Sequence, residues 1–357
     1  MTLKPKKTGI AKARITIEEP ILVLSGDVGG TKTRLQLTRF TQENIHIVAT
    51  NTYRNKEFNS FTEITIAFLR EHASDNDKPQ RACFAIAGPI EKDKVQLTNL
   101  PWTLSAPVVA AQLDIPDICF INDFEAIGYG MLSLTTKDCH TLQPGRTVEN
   151  SVKSVIGAGT GLGVVFMHAM QDYHYVFTSE GGHIDFAPTD DIQEALLLYL
   201  RKKFHRVSNE RIVSGIGITN IYKFVRNLTI NRGIEHPQLQ QLAASSSNFS
   251  RQIGTYALQH RDPLALQTLD IFIRCYGSVA GNLALTTLPY GGLYLAGGVA
   301  PKLLSLMQDG RFMAAFKDKG RSSLLLAHVP VHVILNTQVG LNGAAYYAVN
   351  RTDYCSS

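Results

Sequence analysis

Five polar residues stand directly after apolar runs or inside glycine-rich loops, where a binding site would need them. Asn122 and Asp123 end the run DICFIND, Glu180 and His183 lie in SEGGHIDF, and Glu210 lies in SNERIVSG. They supply an amide, carboxylates and an imidazole, which are groups that bind the neighbouring hydroxyls of a sugar. Their types and positions therefore favour a sugar site.

Each of these residues also has an ordinary interpretation. Asp123 could cap the helix predicted for the residues that follow it, and Glu210 could be a solvated surface charge. Glu180 and His183 are three positions apart and could ligate zinc, but two glycines separate them and no second histidine motif accompanies them. We therefore favour the sugar site over a metal cluster.

A first glycine-rich turn joins two predicted strands near the N-terminus. In GDVGGTKT it holds Asp27, Gly29, Gly30, Thr31 and Lys32. It is not a P-loop, because Thr31 stands where that motif needs the glycine before its lysine, and a strand follows in place of a helix. The turn is therefore a hairpin whose glycines leave backbone N–H groups exposed.

A second turn of this kind lies in GAGTGLG, with Gly159 and Thr160 at its centre. It departs from the dinucleotide-binding fingerprint, since Leu162 stands where the third glycine is required. Successive exposed amides form an anion-binding concavity, so two such turns could clamp a polyphosphate. The hydroxyls of Thr31, Thr33 and Thr160 flank the turns and could assist.

Two charged residues beside the first turn fit the same chemistry. Asp27 cannot contact phosphate directly, but it can hold a water molecule on a magnesium ion that does. Lys32 could add a positive charge, or it could be a solvated turn lysine. Taken singly, each turn could be an ordinary tight hairpin. Two turns of this kind, one of them preceded by an acid, favour phosphate binding.

Composition excludes several classes of protein. The chain has 357 residues, of which 44% are hydrophobic, which is enough for a large core and one or two domains. Lys plus Arg number 35, and Asp plus Glu number 30. The sequence has no basic stripe interleaved with aromatic residues, so this small positive excess does not indicate nucleic-acid binding. The sequence lacks both an apolar run of the roughly 18 residues that a membrane span needs and a secretion signal, so we expect a cytoplasmic location. The cysteines, five in number and without a CxxC pair, predict reduced thiols and no structural zinc.

Hydrophobic periodicity predicts an α/β protein. Residues 1–20 are basic and are expected to form a disordered tail. Three strands follow in ILVLSGD, TRLQLTRF and IHIVATNTYR, then a helix over 60–71 and a strand in ACFAIAGPI. A helix over 106–113 leads to the strand DICFIND. Because strands return after helices, the sheet is predicted to be mixed.

The same order recurs later in the chain. KSVIGAGTGLGVVFMHA again reads as strand, glycine turn and strand, and GLYLAGGVAPKLL reads as strand, glycine turn and helix. Helices are predicted over 191–204 and 262–288, with a mobile loop at 243–250. The repetition predicts a duplicated fold.

Taken together, the motifs resemble those of the bacterial-type glucokinases of the hexokinase, Hsp70 and actin superfamily. DVGGTKTR is similar to that family's first phosphate loop, FINDFEA to its catalytic strand end, and GAGTGLG to its second phosphate loop. EGGH is similar to its hexose loop, SNERIVSG to the segment with a further glucose-binding glutamate, and LAGGV to its adenosine loop. The resemblance runs in order from Gly26 to about Gly343.

The resemblance implies a duplicated actin-like ATPase fold of the ribonuclease H-like type, with two mixed-sheet domains and a cleft between them. The smaller domain would comprise residues 21–133 and 336–357, and the larger one residues 134–335. Related sugar kinases, many of them repressors, carry a cysteine-rich zinc motif after the hexose-loop histidine. Here HIDFAPTDD follows instead, which implies the zinc-free branch.

The resemblance also implies roles for the sugar-site residues. Asp123 would be the general base on the sugar 6-hydroxyl, and Asn122 would bind ring hydroxyls. Glu180, His183 and Glu210 would bind the hydroxyls near the anomeric carbon. 

For the nucleotide, Asp27 would hold Mg²⁺ through water. The residues implied in ATP binding are Gly29, Gly30, Thr31, Lys32, Gly159, Thr160, Gly297 and Gly298.

The implied function is ATP-dependent phosphorylation of D-glucose at the 6-hydroxyl, the first step of glycolysis, with Mg²⁺ as cofactor. The resemblance is compatible with a homodimer.

The nearest alternative function is that of a kinase for another hexose, and a rival from another class is a non-catalytic sugar sensor or repressor on the same fold. A repressor needs a DNA-binding module, for which 20 residues before Ile21 are too few. A dead sensor is expected to have lost Asp123, which is present.

Overall fold

The structure is a computed structural model, and it describes part of the chain. The described residues are 9–11, 19–74, 77–88, 90–91, 93–97, 100–170, 173–228, 234, 236–245 and 249–351. Most of the expected tail over residues 1–20 therefore lies outside them, although residues 9–11 form a short strand. Of the mobile loop expected over 243–250, residues 246–248 are not among the described residues, and the prediction is wrong for residues 243–245 and 249–250, which are helical.

Strands and helices occur in groups along the described chain. The strands are β1 (Gly9–Ala11), β2 (Ile21–Val28), β3 (Lys32–Phe40), β4 (Ile45–Arg54), β5 (Arg81–Ile86), β6 (Lys94–Gln96), β7 (Thr103–Ser105), β8 (Asp117–Asn122), β9 (Cys139–Gln143), β10 (Lys153–Ala158), β11 (Leu162–Met170), β12 (Tyr173–Ser179), β13 (Leu293–Ala296) and β14 (Val331–Ile334). The α-helices are α1 (Phe61–His72), α2 (Ala106–Leu113), α3 (Asp123–Gly130), α4 (Asp191–Phe204), α5 (Gly215–Asn227), α6 (Pro237–Ser245), α7 (Phe249–Gln259), α8 (Pro263–Thr287), α9 (Leu304–Met307), α10 (Arg311–Lys317), α11 (Ser323–Ala327) and α12 (Val339–Asn350).

Capping residues explain where the predicted helices begin. Helices α2 and α4 have the predicted bounds, whereas α1 and α8 each start one residue later than predicted. The reason is that the side chains of Ser60 and Asp262 accept hydrogen bonds from the N–H groups of Glu63 and Ala265. These two residues are N-caps outside the helices, and they satisfy backbone donors that the first turn leaves unpaired.

Internal contacts divide the chain into two units. The first unit comprises residues 1–137, 167–178 and 336–357, and the second comprises residues 138–166 and 179–335. Residues 167–178, expected in the larger domain, thus group with the first unit. In the first unit, β1 pairs antiparallel with β12.

The first unit contains a five-stranded sheet in the order β4-β3-β2-β5-β8. Strands β2, β3 and β4 form the antiparallel meander, and β5 and β8 join β2 in parallel. The predicted mixed sheet is confirmed. In the parallel part, Val28 lies opposite Ile86 and Ile86 opposite Asn122, so the carboxyl ends of the three strands are level.

The second unit repeats this arrangement. Five strands lie side by side here in the order β11-β10-β13-β14-β9. Strand β13 is parallel to both β10 and β14, with Gly157 opposite Ala296 near the carboxyl ends of β10 and β13. A glycine hairpin followed by two parallel strands therefore occurs in each unit, as the predicted duplication requires.

Each unit has its own apolar core. In the first, Phe61, Phe68 and Phe84 are fully buried between the sheet and α1. In the second, the long helix α8 buries Phe272 and Tyr276, among others, beside β10 and β13. Among the described helices, none is long and apolar enough to cross a membrane.

Helices α3 and α12 of the first unit touch through their backbones. A Cβ atom on Gly343 would lie 1.8 Å from the carbonyl oxygen of Ala126, and one on Gly130 would lie 2.0 Å from that of Val339. Arg81 donates to the carbonyl oxygens of Ala348 and Val349 and so satisfies the last turn of α12. Helix α12 therefore holds α3, whose first residue is Asp123.

The close contact predicts unequal effects of two glycine substitutions on α12. Gly343→Ala should destabilise the protein by about 2 kcal/mol or more, since the added methyl overlaps rigid backbone. Gly340→Ala is the matched control, because its Cβ would meet only Ile127 Cγ1, at 3.8 Å. It should be neutral or stabilising by up to about 1 kcal/mol, given the better helix propensity of alanine. Thermal unfolding of both variants measures the difference, and equal shifts would contradict the packing described.

Candidate active site

The polar residues of the first unit gather at the carboxyl edge of its sheet. Asp27 is the residue before the end of β2, and Asn122 ends β8, with β5 between them. Neighbouring strands lie about 4.8 Å apart, so these two strand ends are about 10 Å apart. The carboxyl edge of parallel strands is where open α/β sheets bind their ligands.

Asn122, and not Asp123, is the N-cap of α3. The Asn122 side-chain oxygen accepts from the N–H groups of Phe124 at 2.9 Å and Glu125 at 3.3 Å. Asp123 begins the helix, and its Oδ1 accepts from the adjacent Phe124 N–H at 2.9 Å. The interpretation of Asp123 as the helix cap is therefore wrong. Its carboxylate lies in the first helical turn, where the helix dipole favours a negative charge.

The first glycine turn is a tight hairpin between β2 and β3. Gly29 N–H donates to the Lys32 carbonyl at 3.0 Å, and Gly30, Thr31 and Lys32 are exposed. Thr33 differs from the expectation: its hydroxyl is buried and donates to Asn55 Oδ1 at 2.9 Å. It therefore flanks no open phosphate position. Asn55 escaped the sequence analysis because it lies 26 residues beyond Gly29, with which it bonds.

Asp27 has a cationic partner that the sequence analysis did not single out. Arg34 Nη2 lies 2.5 Å from Asp27 Oδ2, and the two residues face each other across the β2–β3 pair. Arg34 Nη1 also donates to the carbonyl of Thr337 at 2.9 Å. The Asp27 side chain keeps 28% of its surface exposed, so water can reach it. Opposite charges at directly facing positions of a hairpin could have been recognised from the sequence.

The second glycine turn, residues 159–161, joins β10 and β11 in the second unit. Gly159 N–H donates to the Gly161 carbonyl at 2.9 Å, and the Gly159 carbonyl accepts from Gly215 N–H at 2.8 Å. Gly215 is the first residue of α5, whose N-cap is Ser214. The start of a 13-residue helix therefore lies directly against this turn.

Glu210 lies against the second glycine turn. Its Oε2 accepts from Leu162 N–H at 3.0 Å, and a Cβ atom on Gly161 would lie 2.4 Å from that oxygen. Ser214 Oγ donates to the Glu210 carbonyl at 2.6 Å and fixes the backbone. Glu210 is partly buried, so the alternative of a solvated surface charge does not hold. The structure thus brings together a predicted sugar ligand and a predicted phosphate turn.

The loop with Glu180 and His183 packs beside the same strand. Residues Gly181–His183 form a single 3-10 turn, and a Cβ atom on Gly182 would lie 2.0 Å from the carbonyl oxygen of Leu162. Glu180 Oε2 and His183 Nε2 are 3.8 Å apart, with side chains 92% and 57% exposed. Leu162 is therefore the common neighbour of this loop and of Glu210. No group of three or more metal-binding side chains occurs within the described residues.

Gly297 and Gly298 follow β13, next to the end of β10. Gly297 has a φ of +79°, and a Cβ atom there would lie 2.4 Å from the carbonyl oxygen of Ala158. The same carbonyl accepts from Val299 N–H at 3.2 Å. Only glycine fits both the backbone angle and the contact. The structure therefore brings this turn beside the turn of Gly159 and Thr160.

Two buried cysteines lie in the parallel part of the first unit's sheet. Cys83 on β5 and Cys119 on β8 are opposite each other and buried. Burial raises the pKa of the Cys83 thiol well above its usual value, and Cys119 raises it further. Cys83, Cys119, Cys139 and Cys275 are free, whereas Cys355 lies outside the described residues. At neutral pH, the Cys83 thiol is therefore protonated.

Comparison with known proteins gives a consistent result. A family model described as Glucokinase matches residues 24–351. A protein named glucokinase from Nostoc punctiforme is 45% identical over 340 residues, covering 92% of this chain and 98% of the relative. One from Synechocystis is 40% identical over 346 residues, covering 91% and 97%. The crystal structure of a glucokinase from an Antarctic psychrotroph has a TM-score of 0.79 at 32% identity, covering 92% and 98%. The predicted duplicated actin-like α/β fold is confirmed by this likeness.

The contact between Gly161 and Glu210 predicts a functional effect without a large loss of stability. In Gly161→Ala the new methyl must displace the flexible end of Glu210, so unfolding should change by less than about 1 kcal/mol. The carboxylate loses its bond to Leu162 N–H, and glucose binding should weaken about tenfold, the cost of one displaced hydrogen bond.

Calorimetric titration with glucose measures this effect. Gly254→Ala in α7 is the control, since a Cβ there meets nothing within 4 Å. Unchanged glucose affinity in Gly161→Ala would show that Glu210 does not bind the sugar.

Proposed function

Because the chain belongs to the glucokinase family, we propose that it phosphorylates D-glucose at the 6-hydroxyl with ATP, giving glucose 6-phosphate and ADP. The observation that carries the proposal is the position of Asp123, in the first turn of α3 at the sheet edge that also carries the first glycine turn. Phosphoryl transfer needs an aligned hydroxyl and stabilised phosphates more than covalent chemistry, and these groups provide both.

Asp123 is the proposed general base. Its carboxylate accepts the proton of the 6-hydroxyl as that oxygen attacks the terminal phosphate. Asn122 commits its side-chain oxygen to the cap of α3, which leaves its amide NH₂ to donate to a ring hydroxyl. Because one residue caps the helix that the other begins, their relative orientation is set by the backbone.

In this proposal, the phosphates of ATP contact backbone N–H groups and short side chains of the glycine turns. The residues involved are Gly29, Gly30, Thr31, Lys32, Gly159 and Thr160, with Gly297 and Gly298 next to adenosine. Successive backbone N–H groups of a turn can bind an anion, which is the physical basis of this assignment. The start of α5 against residue 159 adds the positive end of a helix dipole.

Asp27 is the proposed contact to Mg²⁺. Hydrated Mg²⁺ takes carboxylate oxygens and keeps several of its waters, and the part-exposed Asp27 side chain fits such an outer contact. When bound, the ion neutralises charge on the transferring phosphate. Arg34, which is paired with Asp27, keeps this carboxylate in one orientation.

Glu180, His183 and Glu210 are the proposed ligands of the hydroxyls near the anomeric carbon. The loop that carries Glu180 and His183 contacts Leu162, and so does the side chain of Glu210, which supports a single sugar subsite.

A cytoplasmic location belongs to the same proposal and is tested by cell fractionation. The homodimer is tested by light scattering of the purified protein.

The role of Asp123 predicts a selective loss of turnover. Asp123→Asn keeps the shape of the side chain but removes its basicity, so kcat should fall by about two to four orders of magnitude while glucose still binds. Asp114→Asn is the control, because this exposed aspartate directly follows α2 in a left-handed conformation that asparagine also tolerates. Near-normal kcat in Asp123→Asn would remove Asp123 from the chemistry.

A panel of hexoses with MgATP tests the proposed substrate. Glucose should be the best substrate and mannose, which inverts only the 2-hydroxyl, should be intermediate. N-acetylglucosamine should be rejected by up to about 10⁴-fold in kcat/KM, because its acetamido group would leave carboxylates of the subsite unpaired. Equal kcat/KM for glucose and N-acetylglucosamine would overturn the subsite assignment, and no turnover with any sugar would overturn the kinase.

A further inference from the structure

Asn55 is a buried polar residue that belongs to none of the motifs above. It follows β4 directly, and 2% of its surface is exposed. Its side-chain Nδ2 donates to the Gly29 carbonyl at 2.7 Å, and its Oδ1 accepts from the Thr33 hydroxyl at 2.9 Å. Its backbone N–H donates to the Thr31 carbonyl at 3.0 Å. One asparagine therefore contacts the first glycine turn at Gly29 and Thr31 and the following strand at Thr33.

These contacts determine where the amides of the turn point. A trans peptide is planar, with its C=O and N–H directed oppositely. Because the Gly29 carbonyl points toward Asn55, the Gly30 N–H of the same peptide points away from it. In the same way, the Thr31 carbonyl points toward the Asn55 N–H, so the Lys32 N–H of that peptide points away from Asn55. Two amides are thus directed away from the buried asparagine, on the side of the turn where residues 30–32 are exposed.

The side-chain contact matters most at the peptide between Gly29 and Gly30. A peptide flanked by two glycines rotates at low steric cost, since neither residue has a Cβ to restrict it. Within the hairpin, Gly29 N–H is bonded to the Lys32 carbonyl, which leaves the Gly29 carbonyl to be held by Asn55. Without the amide of Asn55, this peptide plane could rotate and turn the Gly30 N–H aside.

We propose that Asn55 is a positioning residue for the nucleotide: it orients the Gly30 N–H toward the phosphates of ATP. The inference rests on the proposed function, because it is that function which assigns the turn to ATP. The Thr33 hydroxyl completes the arrangement, because it occupies Oδ1 and so directs Nδ2 toward Gly29. Asn55 itself touches no substrate.

The test compares ligand affinities of the full chain and three variants. Asn55→Ala removes the bond to Gly29, and Thr33→Val removes only the hydroxyl that orients the amide. Asn350→Ala is the matched control, since Asn350 is also buried in the first unit but donates within α12, to the Tyr346 carbonyl. Calorimetry gives Kd for glucose and for a non-hydrolysable ATP analogue with Mg²⁺, and steady-state assays give KM for ATP.

For Asn55→Ala, we expect the analogue Kd and the ATP KM to rise roughly ten- to a hundredfold, the effect of losing one charge-assisted hydrogen bond. Glucose Kd should change by less than about twofold, because the sugar contacts lie elsewhere. Thr33→Val should raise the analogue Kd by less than about fivefold, because the lost hydrogen bond joins two neutral groups and acts on the turn only through Asn55. Asn350→Ala should lower the melting temperature without changing the ratio of the two affinities.

Two outcomes would overturn the inference. One is unchanged analogue affinity in Asn55→Ala. The other is an equal loss of analogue and glucose affinity together with a lower melting temperature, which is what a purely structural residue would give. Binding of the analogue is measured directly, so the inference is tested even if the wild-type protein acts on another hexose. If the wild type phosphorylates glucose while Asn55→Ala binds the analogue normally, the inference fails and the proposed function stands.

Discussion

The parallel register of β2, β5 and β8 is the constraint on which the first unit's site depends. It aligns Val28, Ile86 and Asn122 in one row, so the residues beyond the strand ends meet at one edge. A slip of one position would exchange the two faces of a strand and bury the wrong side chains. At the opposite end of the same strands, Arg81 faces Asp117 and pairs with it at 3.4 Å. This ion pair agrees with the register that the apolar core requires.

Glycine turns bring backbone amides to a ligand but do not hold their own shape. The two glycine hairpins that carry the predicted phosphate contacts are each held by a group from elsewhere in the same unit. In the first, buried Asn55 bonds the Gly29 carbonyl. In the second, Gly215 at the start of α5 bonds the Gly159 carbonyl. Loss of backbone entropy is largest for glycine, so an external hydrogen bond is the means by which such a turn stays in one conformation.

Glu210 connects two kinds of chemistry in the second unit. It accepts a hydrogen bond from the residue that follows the glycine turn, and it is the proposed ligand of a sugar hydroxyl. A carboxylate has about four acceptor positions, so both contacts can be made at once. A group that touches both the turn and the sugar also helps to align acceptor and donor, on which phosphoryl transfer depends.

The sequence by itself determined several strands and helices, among them β2, β8, α2 and α4, and which polar residues stand at strand ends, whereas α5 and α12 were not predicted. Periodicity and N-capping residues are local properties, so α2 and α4 were predicted with their observed bounds, and Asp123 was identified from its position after an apolar run. Six motifs in order also determined the family. Only the tertiary structure decided that Asn55 holds the first turn, that Thr33 faces Asn55, and that Glu210 lies on Leu162. Such contacts join residues 22 to 48 positions apart, and they depend on strand register and loop packing, which no local pattern of residues encodes.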